Sequence, residues 1–158
     1  MFPNLIKKIF MQLNLTFKEL IEQNIIHNNI CPRNIYIKYT NRKKTNFDSI
    51  LTGYGYYTDY SKKCENSFKE FLGTPLFQAP EVLAGNIRKN SDLFSIGVTI
   101  YYLYFGKFHF PSDPLEYIKI EEDRQLEDLL KKLLIRDPDK RINWEEYFAH
   151  PFFRQYLY

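Results

Sequence analysis

Apolar positions recur at spacings of three and four through residues 4–24, at Leu5, Ile6, Ile9, Phe10, Leu13, Leu15, Phe17, Leu20 and Ile21. That period predicts an amphipathic helix. The pattern breaks after Asn24, and Pro32 excludes helix interior there and biases Cys31 towards extended backbone. Residues 35–39 alternate and are β-branched, which predicts a short strand. Residues 49–54 predict its hairpin partner, across the polar, basic loop 40–48. Residues 56–72 are tyrosine-rich without a period and predict a loop. Pro80 suits the first position of a helical turn that ends near Ala84. The densest apolar run is 91–106. Between Leu93 and Phe105 only Ser95, Gly97 and Thr99 are neither apolar nor aromatic, so the helix should be wrapped by protein on every side. Ser91 or Asp92 would cap its first amides and Gly106 would end it. At about 15 residues it is short of the roughly 20 apolar residues that a bilayer crossing needs. An irregular linker is expected at 107–114, a short helix at 115–120 and a strong helix at 125–135, with Leu126, Leu129, Leu130, Leu133 and Leu134 on one face. Asn143 would cap a last helix, 144–148. The fold predicted is mainly α, with one small β-hairpin.

A length of 158 residues suits one domain. With 44% hydrophobic and 26% charged residues, a packed core is expected rather than disorder. A net charge of +3 is too small to argue for nucleic acid, and Arg42-Lys43-Lys44 reads as a solvated loop. Cys31 and Cys64 make no disulfide framework and no Cys-x-x-Cys pair, so reduced thiols in the cytoplasm are expected. The first residues lack the zones of a signal peptide, no segment is suited to crossing a membrane, and no internal repeat is visible.

The motifs sharpen this picture. His27-Asn-Asn-Ile-Cys-Pro-Arg-Asn-Ile resembles the catalytic loop of protein kinases, H-R-D-x-K-P-x-N-I. Gly53-Tyr54-Gly55 falls where D-F-G is expected. Gly73-Thr-Pro-Leu-Phe-Gln-Ala-Pro-Glu81 resembles the segment of Ser/Thr kinases that ends in A-P-E. Asp92-Leu-Phe-Ser-Ile-Gly97 resembles the D-x-W-S-x-G start of the family's central helix, and Arg136 to Arg141 with His150-Pro-Phe-Phe resembles its end. Five matches in order over residues 20–153 resemble the large, C-terminal lobe of that fold, with the hairpin beside the catalytic-loop position. No Gly-rich loop and no Val-Ala-Ile-Lys strand precede His27 in this sequence, so the expectation is a lobe lacking the N-terminal lobe that clamps ATP.

The resemblance implies a role for each matched position. Asn29 stands where the family has the Asp that accepts the hydroxyl proton, and an amide has no useful basicity. Cys31 stands at the Lys that steadies the γ-phosphate. Gly53 replaces the Asp that grips magnesium, while Asn34, the second metal ligand, is retained but weak without a carboxylate. Thr74 matches a substrate-binding position. His27, Tyr54, Glu81, Asp92 and Arg141 match structural positions, Glu81 and Arg141 as a buried ion pair. A base is worth about 10²–10⁴-fold, so a kinase turning over at roughly 1–100 s⁻¹ and losing base and metal alike should fall to roughly 10⁻⁴ s⁻¹ or less. Asn28 replaces the Arg that receives a phosphorylated loop, so switching by phosphate is not expected. The implied reading is a catalytically inactive pseudokinase. It would bind neither ATP nor magnesium tightly, and would serve as an interaction or regulatory module. A protein partner is expected on the face that the N-terminal lobe normally covers, with no nucleic acid and no membrane. The alternative is a fragment of a Ser/Thr kinase that transfers phosphate from ATP to protein.

Overall fold

The computed structural model describes residues 2–61, 73–107 and 118–154. The first helix, α1 (Phe2–Glu22), buries Ile6, Ile9, Phe10, Leu13 and Phe17 along one stripe, while Leu15 points off it and is 69% exposed. Strands β2 (Ile35–Tyr39) and β3 (Phe47–Leu51) form an antiparallel hairpin in which Ile35 faces Leu51 and Tyr39 faces Phe47. The inner side of β3, Phe47 and Leu51, is buried, whereas Tyr36 and its partner Ile50 stay exposed. Gln12 ties the hairpin to α1 with both ends of its amide, donating to the Phe47 carbonyl at 2.9 Å and accepting from the Ser49 amide at 2.8 Å.

The second strand of the hairpin begins two residues earlier than the pattern predicts, at Phe47, and Tyr54 lies instead in a 3-10 turn, Tyr54–Tyr56. A second, two-stranded pairing was not predicted. β1 (Ile25–Ile26) runs antiparallel to β4 (Thr58–Asp59), inside the stretch expected to be all loop. Residues 62–72 of that loop, the linker from 108 and the start of the helix expected at 115–120 lie outside the described residues. Ile118 to Ile120 is not helical.

Helix α2 is the short turn Pro80–Leu83, with Pro80 at its start. The central helix α3 (Ser91–Phe105) is buried from Ser91 to Tyr101, but its last turn, Tyr102 to Phe105, is only half-buried. Gly106 ends it in the left-handed region at φ 68°. Neither Ser91 nor Asp92 caps it. The cap position is Asn90, whose side chain reaches Pro138 instead, because Ser91 and Asp92 are engaged in tertiary bonds. α4 (Arg124–Leu133) packs its leucine stripe on α3, with all five predicted leucines fully buried, and Asp123 caps it by accepting from the Leu126 amide. Gly97 makes that contact possible, since a Cβ there would lie 2.8 Å from Leu133 Cβ. The last helix, α5 (Trp144–Phe148), opens with a complete capping box between Asn143 and Glu146. Among the described residues no helix is long and apolar enough to cross a membrane.

Candidate active site

The segment from Ile26 to Asn34 is shaped by residues that tolerate unusual backbone. Asn28 sits at φ 60°, a left-handed conformation that asparagine adopts more readily than most residues. Cys31 is extended, as a residue before proline should be, and Pro32 opens a 3-10 turn, Pro32–Asn34. The first turn of α3 holds this segment from below. Asp92 accepts from the His27 amide at 2.6 Å and the Asn28 amide at 2.9 Å. Two turns on, the Thr99 hydroxyl lies between the Ser95 carbonyl at 2.7 Å and the Ile30 carbonyl at 3.3 Å, sharing its one proton between them. Burial pushes the Asp92 carboxyl up to about 6, against the pull of those two amides.

His27 is wholly buried, and burial lowers its pKa to about 4, only partly offset by the Thr52 carbonyl. The ring is therefore neutral, and its neighbours fix the tautomer. Nδ1 accepts from the Asn29 amide at 3.2 Å, so Nε2 carries the proton and donates to the Thr52 carbonyl at 3.1 Å. Tyr54 packs edge-on against it, with ring centres 4.8 Å apart.

Around Asn29 the structure gathers Asn34, Gly53, Thr74 and, through Thr74, Cys31. The Asn29 carboxamide donates to the Gly53 carbonyl at 3.3 Å and accepts from the Thr74 hydroxyl at 3.4 Å. Asn34 Nδ2 donates to the Asn29 carbonyl at 2.7 Å. The Cys31 thiol is buried and lies 3.8 Å from the Thr74 hydroxyl. Gly53 has φ 85°, and a Cβ there would lie 2.5 Å from Asn34 Cγ. Asn34 thus fills the space in which a side chain at position 53 would start. Gly73, at φ 79°, lets its segment close on Asn29, where a Cβ would meet Oδ1 at 2.8 Å. Sequence reasoning missed Gly73, and missed Thr52 and Thr99 as anchors, because nothing local marks a backbone approach or a hydroxyl aimed at a distant carbonyl.

These residues do not fit magnesium. That ion wants about six oxygens at roughly 2.0–2.1 Å, with carboxylate among them. The site, Asn29, Asn34, Gly53, Thr74 and Cys31, offers carboxamides and no carboxylate. Among the described residues no group of three or more His, Cys, Asp or Glu could hold a metal.

Away from this cluster, Glu81 and Arg141 form a two-pronged ion pair at 2.6 and 2.9 Å, with side-chain exposures of 7% and 0%. Ser91 adds a bond to Glu81, while Arg141 reaches the carbonyls of Ile135, Asn90 and Arg136 and lies over the Phe94 ring. Burial raises the Glu81 pKa, but Arg141 and the other donors outweigh it and hold the carboxyl below its ordinary value.

A profile described as the protein kinase domain matches residues 1–153. The chain belongs to the protein kinase family. It is 34% identical over 166 residues to the Ser/Thr protein kinase ULK3 of Xenopus laevis, a match covering 95% of this chain and 34% of ULK3. It is 35% identical over 175 residues to a probable Ser/Thr protein kinase, fhkB, of Dictyostelium discoideum, which covers 95% of this chain and 14% of that protein. Ser/Thr protein kinase TOS3 of Saccharomyces cerevisiae is 32% identical over 181 residues, again 95% of this chain and 32% of TOS3. The chain therefore spans about a third or less of the length of these kinase relatives. Its Ser/Thr-kinase-like character and largely helical fold stand on these matches together with the architecture.

Proposed function

We propose that this kinase-family domain is catalytically silent and serves as a protein-interaction or regulatory module in the cytoplasm. The observation that carries the reading is the packing of Asn34 over Gly53. Where the family places a metal-gripping carboxylate there is only backbone, and a neighbouring carboxamide has settled into the space and bonded to the Asn29 carbonyl. Asn29 itself bonds to the Gly53 carbonyl and to Thr74 and has no basicity with which to take a hydroxyl proton. Phosphoryl transfer depends on positioning and on neutralising charge across the phosphates; a cluster of neutral amides supplies the first without the second. Tyr36 and its cross-strand partner Ile50, exposed on the outer face of the hairpin that follows this cluster, are the surface we assign to a protein partner.

Incubation with radiolabelled ATP, Mg²⁺ or Mn²⁺ and a generic protein substrate tests the silence. No transfer above a protein-free control is expected, and clear transfer would overturn it. A second reading, a piece of an active Ser/Thr kinase, draws support from relatives that are named as such kinases and are about three times as long as the match or longer. The encoded sequence flanking this one discriminates. An in-frame Gly-rich loop and strand lysine would favour the second reading, and the same transfer assay on that longer protein would decide it.

A further inference from the structure

The side chain of Asn28 does work that the site does not use. Its nitrogen lies among three acceptors: the Thr58 hydroxyl at 2.9 Å, the Tyr56 carbonyl at 3.0 Å and the Ile26 carbonyl at 3.4 Å. That environment fixes the amide orientation, since a flipped group would set oxygen against two carbonyls, and it leaves Oδ1 buried without a hydrogen-bond partner among the described residues. The residue is 3% exposed, so water competes little for these bonds. They join the loop that carries Asn29 to the chain just beyond Gly53, where β1 pairs with β4 and the Tyr60 amide donates to the Asn24 carbonyl at 2.8 Å.

We propose that Asn28 is a charge-free latch that holds residues 56–60 against β1 by folding alone, so that no phosphate is needed to set this part of the chain. The latch is independent of whether the neighbouring cluster turns over. Its geometry also dictates which substitution isolates it. Asn28→Gly keeps the left-handed backbone and the amide bonded to Asp92, and removes only the carboxamide. Thr58→Val removes one acceptor and keeps the side chain's shape.

Amide hydrogen exchange on the bacterially expressed, phosphatase-treated protein is the test. In the unmodified sequence the Tyr60 amide should already be protected. Asn28→Gly should speed its exchange about tenfold, as expected for the loss of roughly one net hydrogen bond. Thr58→Val should give a smaller acceleration that does not add to the first. The amides of Leu129 and Leu130 in α4 should be unchanged throughout. Overturning results are a Tyr60 amide that exchanges freely in the unmodified protein, equal acceleration in α4 and at Tyr60, or no acceleration in either variant. If Asn28→Gly does not fold, Thr58→Val alone decides, by the presence or absence of local acceleration.

Discussion

His27 and Asp92 touch through one hydrogen bond, from the His27 amide to the carboxylate, yet they respond to acid in opposite directions. The His27 pKa falls from 6.5 to about 4 on folding, so its contribution to stability is complete above pH 6.5 and is lost as pH drops through 4. That of Asp92 rises from 3.8 to about 6, so its contribution is complete below pH 4 and is lost as pH climbs through 6. Each displacement is worth about 3 kcal/mol. Between pH 4 and 6.5 the two nearly cancel, and this pair should leave the melting temperature almost flat. Asp92→Asn removes one side of the balance. Its melting temperature should fall more steeply on acidification across that window than the parent's, as followed by circular dichroism, and parallel curves would count against the assignment. At this scale the sequence was most informative through motif spacing, which brought Asn29, Asn34, Gly53 and Thr74 into view before any coordinates. It could not show that Asn34 lies against Gly53, because that contact depends on the room a residue without a side chain leaves.

Helices were legible as elements wherever a stripe of apolar residues met a cap. α1, α4 and α5 fall within a few residues of their expected bounds, and the Asn143 capping box forms in full. Asn143→Ala should therefore cost about 1 kcal/mol, read as a shift in the urea midpoint. The β1–β4 pairing was not legible. Two residues carry no period, and the side chain that reinforces their pairing, Asn28, is more than 25 positions from its Tyr56 partner. The N-terminal cap of α3 was misjudged for a related reason. Ser91 and Asp92 have the chemistry of a helix cap, but a buried carboxylate and a buried loop compete for them and win. Gly97 sets two effects against each other. Alanine raises helix propensity by up to about 1 kcal/mol, but its methyl would press on Leu133 and Leu134 at 2.8 and 3.0 Å, and overpacking typically costs about 1–3 kcal/mol. The contact should win, so Gly97→Ala should be less stable in urea, by up to about 2 kcal/mol.

Over the whole molecule, the Glu81–Arg141 pair joins the short helix α2, the entry to α3 and the turn before α5 into one unit. Arg141→Leu leaves a buried carboxylate without its partner and should cost about 3–5 kcal/mol. Arg141→Lys should recover little, because a lysine cannot supply two parallel bonds and still reach the carbonyls of Ile135 and Arg136. Urea denaturation of the two variants checks both statements, and a lysine variant as stable as the parent would refute the second. The family's architecture was readable from the order of five short motifs; the bonds that weld distant segments were not, since each joins residues some 50 to 70 positions apart. One of those welds has a practical side. Trp144 is the chain's single tryptophan, its indole donates to the Lys89 carbonyl at 2.8 Å, and Phe17 of α1 packs against it at 5.8 Å. The molecule thus carries one native fluorophore at the junction of its first helix, its last helix and the lead-in to its middle one, so a red shift of that emission reports when beginning, centre and end come apart, without any label being added.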